Sequence, residues 1–453
     1  FLKMSPERGG SRTLFVLISA LIVDMLAFTC ILPLFPAIVN LYSKPGHKDS
    51  LYEACLYLLR TFQEAIGVPY NERYNNVFFG GLLASLFSGL QFVSSPMLGA
   101  LSDVYGRRAM LLLSSIGTAA SYMIWLRADT FTLFVISRII GGLSKANINI
   151  AMAIIGDVFP PSQHPRGMAL IGIAYSVGFL LGPMIGAYFS SLARSGEASA
   201  FVLPAQFAIL MTFIQFMIVC CFLPETLSFE EARSRKSVTA KAADLLRPSA
   251  LFRFSAVDAP KEKKERMEQI GMVYFIYLFL YAGLEFTLPF ITHLRFNFSS
   301  MDQSKVYLFT GVLMLLIQGG YVRRSSLKKL KRIAEIGLMC IIPSYLLIAF
   351  AYSIGQLYLA LALYAVSSAT VVPALTSCVS VVHTDSERGA VSGVFRSIGA
   401  LARAIGPFAA ATVFWLIGPE WCYSVGALLL AAPLCLLKRL PAPQAEDVKS
   451  KAQ

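Results

Sequence analysis

An all-α membrane protein with twelve transmembrane helices in two pseudo-symmetric six-helix bundles is the fold that the sequence predicts. Of the 453 residues, 56% are hydrophobic and only 14% are charged, whereas about 25% of an ordinary soluble protein is charged. A bilayer core about 30 Å thick needs about 20 apolar residues for each helix. Twelve such stretches lie roughly at 13–38, 77–101, 109–127, 131–157, 167–191, 203–223, 270–293, 305–322, 334–353, 356–381, 390–416 and 421–437.

The basic residues predict how these helices are oriented. The chain carries 39 Lys and Arg against 26 Asp and Glu, a formal net charge of +13. With twelve spans both termini lie on one side, and 27 of the 39 basic residues fall on that side against 8 on the other. Because basic loops stay in the cytosol, both termini are expected in the cytosol, or in the nucleoplasm if the membrane is nuclear.

The longest interruption of the apolar pattern on the cytosolic side is charged and poor in apolar residues. It predicts a linker between two six-helix halves. The resulting division is an N-terminal bundle at 1–223, a cytosolic linker at 224–269, a C-terminal bundle at 270–440 and a cytosolic tail at 441–453.

Two short helices are predicted outside the spans. Between the first and second spans, Ser50 and Glu53 form a capping box and apolar residues recur at helical spacing. An amphipathic loop helix is therefore expected at about 50–66. In the linker, Leu251 and Phe252 suggest a second amphipathic helix that lies on the membrane face.

The two halves contain matching elements. Arg166-Gly167 opens the fifth span and Gly182-Pro183 follows, while Arg388-Gly389 opens the eleventh span and Gly406-Pro407 follows. Matching elements about half a chain apart are typical of parallel repeats related by an axis along the membrane normal. Such an architecture is more typical of a transporter than of a receptor.

A charged, glycine-rich turn follows the second span. It reads Gly99-Ala100-Leu101-Ser102-Asp103-Val104-Tyr105-Gly106-Arg107-Arg108. Small residues and a tight turn at Gly106 let two helices approach closely, and Asp103 and Arg107 are expected to form a cytosolic charge latch. Together with Gly99 and Arg108, these residues are candidates for gating.

This turn resembles the GxLxDrxGRR signature of the major facilitator superfamily, although Val104 stands where a basic residue is common. Arg138 and Gly142 are similar to the RxxxG motif of that family. The stretch from Gly178 to Gly186 resembles the GxxxGPxxG motif of its antiporters, which adds Gly178, Gly182 and Pro183 to the gating candidates. The resemblance extends over nearly the whole chain through the repeat, and it implies the major facilitator fold and transport by alternating access.

Four further segments resemble a tetracycline-transporter-like branch of this superfamily in vertebrates. They are Tyr70–Asn75, Arg138–Lys145, Leu251–Val257 and Arg396–Ala404. That resemblance implies an antiporter of organic anions, including carboxylate drugs of the non-steroidal anti-inflammatory class. It also implies a place in the plasma membrane, the inner nuclear membrane or both.

A charged side chain at the centre of a membrane helix costs about 2.5–3.5 kcal/mol on insertion scales, so such residues usually face a cavity or a partner. Six are predicted here: Asp24, Arg138, Lys145, Glu285, Arg396 and Arg403. On continuous helices Arg138, Lys145 and Asn149 share one face, Arg396 and Arg403 another, and Tyr281 and Glu285 a third.

These three faces predict one water-accessible interior with a net charge of +2. That charge favours an anionic substrate, and an Arg guanidinium offers two donors to a carboxylate. The predicted substrate contacts are Arg138, Lys145, Asn149, Tyr281, Arg396 and Arg403.

Proton coupling is assigned to Asp24, Glu285 and Arg138. Protonation of a carboxylate would break its pairing with Arg138 or Lys145 and free a cation for the substrate, from which proton-coupled antiport is hypothesised. In the alternative interpretation, Asp24 forms a static ion pair, Arg138 only anchors the helices and Tyr281 only packs.

Other functions are weighed against this one. A cationic-drug or polyamine antiporter is the rival within transport, and a transport-silent receptor or scaffold is the rival from another class. No P-loop, GxSxG or HExxH motif occurs, so an enzyme is not expected. No cofactor, metal or nucleic acid is expected either, and the expected partners are organic anions, protons and the lipid bilayer, with the protein as a monomer.

Overall fold

The computed structural model describes residues 6–44, 46–66, 74–158, 164–192, 201–227, 247–255, 260–322, 329–382 and 388–440, and every regular element in these ranges is helical. In chain order the α-helices are α1 (Pro6–Thr29), α2 (Phe35–Tyr42), α3 (Ser50–Ile66), α4 (Asn75–Tyr105), α5 (Arg107–Leu126), α6 (Phe131–Ser144), α7 (Asn147–Val158), α8 (His164–Ser191), α9 (Val202–Phe222), α10 (Pro248–Phe252), α11 (Lys261–Phe296), α12 (Ser300–Ile317), α13 (Leu330–Ala349), α14 (Ile354–Val382), α15 (Arg388–Leu429) and α16 (Ala431–Arg439). A 3₁₀ turn at Leu32–Leu34 and a π-helical turn at Gln318–Val322 complete them.

Eleven stretches of the described residues are long and apolar enough to cross a membrane. The last of them, Gly393–Arg439, is 47 residues long. It contains Gly418 with φ 83° and ψ 170°, far from helical values. Division of this stretch at Gly418 gives the twelve spans that the sequence predicts.

Contacts divide the chain into two compact units. Unit 1 comprises Phe1–Glu72, Leu90–Ala242 and Ser299–Tyr307, and unit 2 comprises Arg73–Gly89, Ala243–Phe298 and Leu308–Gln453. The first part of α4 therefore belongs to unit 2 and the beginning of α12 to unit 1. The sequence division had placed the first of these segments in the N-terminal bundle and the second in the C-terminal bundle. We keep the boundaries at 223, 269 and 440 as a proposal, and the tail at 441–453 lies outside the described residues.

The first part of α4 belongs to unit 2 because small residues bring it close to α15. A Cβ atom added to Gly81 would overlap the Ala411 side chain. Trp415 in α15 donates from its Nε1 to the Asn75 carboxamide at 3.1 Å. These contacts lie too far apart in the sequence to be predicted from it.

Two spans that the sequence predicts as single helices are broken. In the first, the 3₁₀ turn separates α1 from α2, and Pro33 and Pro36 account for it because proline lacks an N–H donor. In the fourth, α6 ends at Ser144 and α7 begins at Asn147. Neither proline nor glycine stands at this second break, so the sequence contains no signal for it.

The loop helix α3 covers Ser50–Ile66, with Tyr52 and Leu59 buried. Asp49 fixes its start by accepting the Tyr52 N–H at 2.9 Å and, from the beginning of α6, the Thr132 N–H at 2.7 Å. Partial burial acts to raise the pKa of the Asp49 carboxyl, but these two N–H donors hold its pKa below the ordinary value. One carboxylate therefore caps two helices and fastens the loop helix to unit 1.

The predicted linker helix is present at Pro248–Phe252 and packs against α11. Leu251 and Phe254 of this segment are 1% and 0% exposed. Phe254 lies against Gly271 of α11, and the Phe252 ring packs edge-on against Phe275 at 4.9 Å. One side of the segment is therefore packed into unit 2, and its place on the membrane face stays a prediction. Residues 228–246 of the linker lie outside the described residues.

Candidate functional site

The predicted charge in the first span, Asp24, has a lysine as its partner. The Lys145 ammonium lies 2.7 Å from Oδ1 of Asp24, and the two residues are 3% and 0% exposed. The same ammonium lies 5.0 Å from the centroid of the Phe28 ring. Within the part of the chain that the structure describes, Oδ2 of Asp24 has no hydrogen-bond partner. Removal of either charge would leave the other buried without compensation.

Lys145 occupies the break between α6 and α7. Its backbone, at φ −82° and ψ 83°, leaves the helical region. The prediction that Arg138, Lys145 and Asn149 share one helical face required a continuous helix. It is therefore wrong, because the helix that carries Arg138 ends at Ser144. The break places Lys145 against α1, where Asp24 lies.

Side chains from neighbouring helices satisfy the backbone at the break. The Ser114 hydroxyl of α5 lies 2.5 Å from the Ser144 carbonyl oxygen and 2.5 Å from the Asn147 carboxamide. Gln91 of α4 donates to the Lys145 carbonyl oxygen at 3.3 Å. Neither Ser114 nor Gln91 was predicted as a site residue, because their partners appear only once the break is known.

Arg138 lies two turns before Lys145 and is 5% exposed. Its guanidinium carbon lies 5.2 Å from the centroid of the Phe134 ring and 5.9 Å from that of Trp125. Its Nε is 3.3 Å from the Ser137 hydroxyl. The sequence predicted that either Arg138 or Lys145 pairs with Asp24. Lys145 forms the salt bridge, and aromatic rings lie around Arg138.

Asn149, the remaining predicted contact in unit 1, lies half-buried in the first turn of α7. Its carboxamide donates to the hydroxyl of Ser95 in α4. Ser94, one residue earlier, donates to the Gly142 carbonyl oxygen at 3.1 Å. Helix α4 therefore contacts the fourth span on both sides of the break.

The predicted cytosolic latch joins more groups than the sequence indicated. The Arg107 guanidinium contacts Asp103 at 2.6 Å, Asp157 at 2.8 Å and the Ser102 hydroxyl at 2.6 Å. Arg107 is 3% exposed. Asp157 is the last but one residue of α7, so the helix that begins beside Lys145 ends on this latch.

Glu225 completes this end of unit 1. Its carboxylate accepts the N–H groups of Arg107 at 2.8 Å and Arg108 at 3.1 Å, at the start of α5. Gly106 has φ 98°, and a Cβ atom there would lie 2.6 Å from this carboxylate. The Arg108 guanidinium donates to the Cys220 carbonyl oxygen. The role of Glu225 as a helix cap depends on the fold and was not predicted from the sequence.

The glycines of the fifth span pack against α1 just beyond Asp24. Cβ atoms at Gly178 and Gly182 would overlap Met25 and Thr29, and one at Gly186 would overlap the backbone of Cys30. Pro183 lies inside the continuous helix α8. These small residues fix the backbone of α1 next to the ion pair, whereas Gly99 has open space around it.

Gly186→Ala is expected to destabilise the protein by about 1–3 kcal/mol, the usual cost of overpacking. The added methyl group would meet backbone atoms of Cys30, which cannot rotate away. Gly172→Ala in the same helix is the matched control, because a Cβ atom there meets nothing within 4 Å. Thermal unfolding of the two purified variants measures the difference, and equal melting temperatures would contradict this packing.

Glu285 in unit 2 lies among hydroxyl groups and is partly exposed. The Tyr281 hydroxyl lies 3.4 Å from Oε1 of Glu285 and donates to Ser368 of α14 at 2.7 Å. The ring of Tyr281 stacks on that of Tyr364 with a centroid distance of 5.1 Å. The shared face of Tyr281 and Glu285 was predicted, whereas Ser368 and Tyr364 come from another span.

The two predicted arginines of the eleventh span lie in α15. Arg396 is half-buried and Arg403 is exposed. Between them Gly399 lies against Tyr274, whose ring stacks on Phe395 at 4.1 Å. Asp24, Arg138 and Lys145 thus all belong to unit 1, where Asp24 and Lys145 form the ion pair, and Glu285, Arg396 and Arg403 all belong to unit 2.

Comparison with known proteins identifies the family. The sequence profile of the Major Facilitator Superfamily matches residues 17–407. Major facilitator superfamily domain-containing protein 10 of Mus musculus is 42% identical over 440 residues, which cover 95% of this chain and 93% of the relative. The crystal structure of the human organic anion transporter MFSD10 (TETRAN) matches with a TM-score of 0.78 at 41% identity, over 94% of this chain and 99% of that chain.

A more distant relative is the class G tetracycline resistance protein of Vibrio anguillarum. It is 26% identical over 365 residues, which cover 79% of this chain and 87% of the relative. The matches confirm the predicted fold class of a multi-pass α-helical membrane protein, and they confirm that the chain is not an enzyme. The chain belongs to the Major Facilitator Superfamily of membrane transporters.

Proposed function

We propose that this protein is a secondary active transporter of amphipathic organic anions, coupled to protons and working by alternating access. The observation that carries the proposal is the buried ion pair of Asp24 and Lys145 at a break in a membrane-spanning helix. Either charge can be neutralised by a ligand, Asp24 by a proton and Lys145 by an anion. The human relative described as an organic anion transporter supports the same class of substrate.

The proposed switch follows from the cost of buried charge. A proton on Asp24 removes the counter-ion of Lys145, and an uncompensated charge at a helix centre costs about 2.5–3.5 kcal/mol. The carboxylate of an organic anion can replace Asp24 at the ammonium. Arg138 and Asn149 are the further proposed contacts in unit 1, with the rings around Arg138 suited to an aromatic substrate.

In unit 2, Tyr281, Arg396 and Arg403 are the proposed substrate contacts. Arginine suits a carboxylate because its planar fork donates two hydrogen bonds. Glu285 is the second proposed proton carrier. The nearby Tyr281 hydroxyl can donate to Glu285 when the carboxyl is charged and accept from it when the carboxyl is protonated.

The direction of coupling follows from charge. A proton on Asp24 and an anion on Lys145 favour each other, so this pair alone would load both ligands together. In antiport, the mechanism that the sequence favoured, protons cross the membrane in the direction opposite to the anion. Protons must therefore be carried by a second group while the anion site is empty. We assign this role to Glu285.

Gating is proposed for the cytosolic network and for the glycines of α8. The contacts of Arg107 with Asp103 and Asp157 would break as the transporter changes state, and the close packing around Gly106 would let them re-form. The remaining proposed gating residues are Gly99, Arg108, Gly178, Gly182 and Pro183. We also propose a monomer with cytosolic or nucleoplasmic termini, in the plasma membrane, the inner nuclear membrane or both.

A second candidate is a cationic-drug or polyamine antiporter, and the relatives that are named tetracycline resistance proteins support a drug as the substrate. Its proton and its substrate would compete for the same carboxylate, Asp24. Antiport would then follow directly from the ion pair, without a second carrier.

Uptake of radiolabelled naphthoate into proteoliposomes under an imposed pH gradient distinguishes the two candidates. The organic-anion proposal predicts gradient-dependent uptake that unlabelled aromatic carboxylates inhibit and tetracycline does not. No naphthoate uptake, together with gradient-dependent uptake of a labelled cationic drug, would favour the second candidate. Uptake that is unchanged by both Arg396→Ala and Asp24→Asn would exclude the proposed site.

A further inference from the structure

We propose that Ser114 is a positioning residue for the Lys145 site, because its hydroxyl holds the fourth span in its broken form. The inference rests on the proposed function, since it concerns how Lys145 is presented to Asp24 or to an anion. It makes the break at Ser144–Asn147 an element with two states, broken and continuous. Ser114 would favour the broken state.

The Ser114 hydroxyl supplies the hydrogen-bond partners that the backbone lacks at the break. Helix ends leave backbone groups without partners, and lipid tails cannot hydrogen-bond to them. A serine hydroxyl has one proton to donate and can accept two. Donation to the Ser144 carbonyl and acceptance from the Ala146 N–H use two of these capacities. Oδ1 of the Asn147 carboxamide lies 2.5 Å from the same hydroxyl, within reach of the third.

This assignment also fixes the orientation of the Asn147 carboxamide. One hydroxyl proton cannot serve both the Ser144 carbonyl and Oδ1 of Asn147. With the carboxamide turned over, its NH₂ group donates to Ser114. The turned orientation gives a partner to the amide nitrogen, which otherwise has none among the described residues.

The neighbouring serine shows that this contact is specific. Ser115 is 1% exposed, as buried as Ser114 at 2%. Its hydroxyl donates to the Leu111 carbonyl oxygen of its own helix at 2.8 Å. Of these two serines, Ser114 is the one that reaches across to the break, and Gly117 one turn later allows the approach, because a Cβ atom there would overlap Ser144.

Without the Ser114 hydroxyl, the simplest way to satisfy the freed backbone is to continue the helix through Lys145. Seven residues are about two turns of an α-helix, so a continuous helix would turn Lys145 to the face of Arg138. The ammonium would then leave Asp24. Loss of a single hydroxyl therefore affects anion binding through the position of Lys145.

The test compares Ser114→Ala with Ser115→Ala in the full-length purified protein. Two measurements are made: naphthoate affinity, and amide hydrogen exchange of peptides that cover residues 144–148. Ser114→Ala is expected to weaken binding by about tenfold, the loss of one charge-assisted contact, and to slow exchange at the break. Ser115→Ala is expected to change neither, and Ser114→Thr, which keeps the hydroxyl, should restore both.

Two further variants separate the possible outcomes. Gln91→Ala, which removes the donor to the Lys145 carbonyl, should also weaken naphthoate binding and slow exchange at the break. It replaces Ser114→Ala in the test if Ser114→Ala does not fold. Ser114→Ala should add nothing to the loss caused by Lys145→Ala. If Lys145→Ala abolishes binding while Ser114→Ala and Gln91→Ala match Ser115→Ala, the inference fails and the proposed function stands. Binding that survives Lys145→Ala would overturn both.

Discussion

Lys145→Ala is expected to weaken the binding of naphthoate by about 10- to 150-fold, because a hydrogen bond to a charged group contributes about 1.5–3 kcal/mol. Uptake into proteoliposomes should fall with it. The same substitution leaves Asp24 buried without a counter-ion, which costs about 3–5 kcal/mol unless the carboxyl takes up a proton. A lowered melting temperature that recovers at acidic pH is therefore expected as well.

A matched lysine and a double variant control this experiment. Lys305 forms a largely exposed ion pair with Asp302 at 2.9 Å, and exposed pairs contribute about 0–1 kcal/mol. Lys305→Ala should therefore behave as wild type. Asp24→Asn combined with Lys145→Ala should restore the melting temperature without restoring anion binding. Normal binding by Lys145→Ala would contradict the assignment of the anion site.

Arg107→Ala is expected to destabilise the protein by about 3–5 kcal/mol, the cost of removing one partner from a buried charge network. It leaves Asp103 and Asp157, which shared the guanidinium, without the cation that separated them. Arg107→Lys should restore little, because an ammonium lacks the planar fork that reaches both carboxylates. Thermal unfolding and naphthoate uptake measure both effects.

Arg127, which directly follows the other end of α5, is the matched control because its side chain is exposed. Arg127→Ala should keep the melting temperature and the uptake of the wild type. Asp157→Asn should lose uptake with a smaller loss of stability, since the amide still fills the site. A latch that is only structural would give an Asp157→Asn protein with normal transport.

The sequence was sufficient for features that depend on composition or local spacing. Asp24 and Glu285 are charges inside apolar stretches, and the latch residues Asp103 and Arg107 lie four residues apart in one motif. The loop helix at 50–66 carries a capping box and apolar residues at helical spacing. Each of these signals lies within one segment and requires no knowledge of neighbouring helices.

Features made by two or more helices could not be predicted in this way. The break at Lys145 has no proline or glycine, and the groups that satisfy it, Ser114 and Gln91, come from α5 and α4. The same holds for Glu225, which caps α5 from the end of the sixth span. Buried serines and acids at span ends are common, so their sequence positions carry no signal for these roles.

The break also links the two ends of the proposed mechanism within unit 1. Helix α7 begins next to Lys145, which contacts Asp24, and its last turn carries Asp157, which contacts Arg107. A continuous helical segment of 12 residues thus separates the ion pair from the latch. We therefore propose that release of Lys145 from Asp24 displaces α7 and so changes the contact of Asp157 with Arg107.

In the proposed mechanism, a proton on Asp24 makes Lys145 available to an anion. Naphthoate binding to the wild type and to Asp24→Asn at one neutral pH tests this step, because asparagine imitates the protonated carboxyl. Asp24→Asn is expected to bind naphthoate more tightly than the wild type, since Lys145 then has no charged partner. Equal or weaker binding by Asp24→Asn would contradict the mechanism.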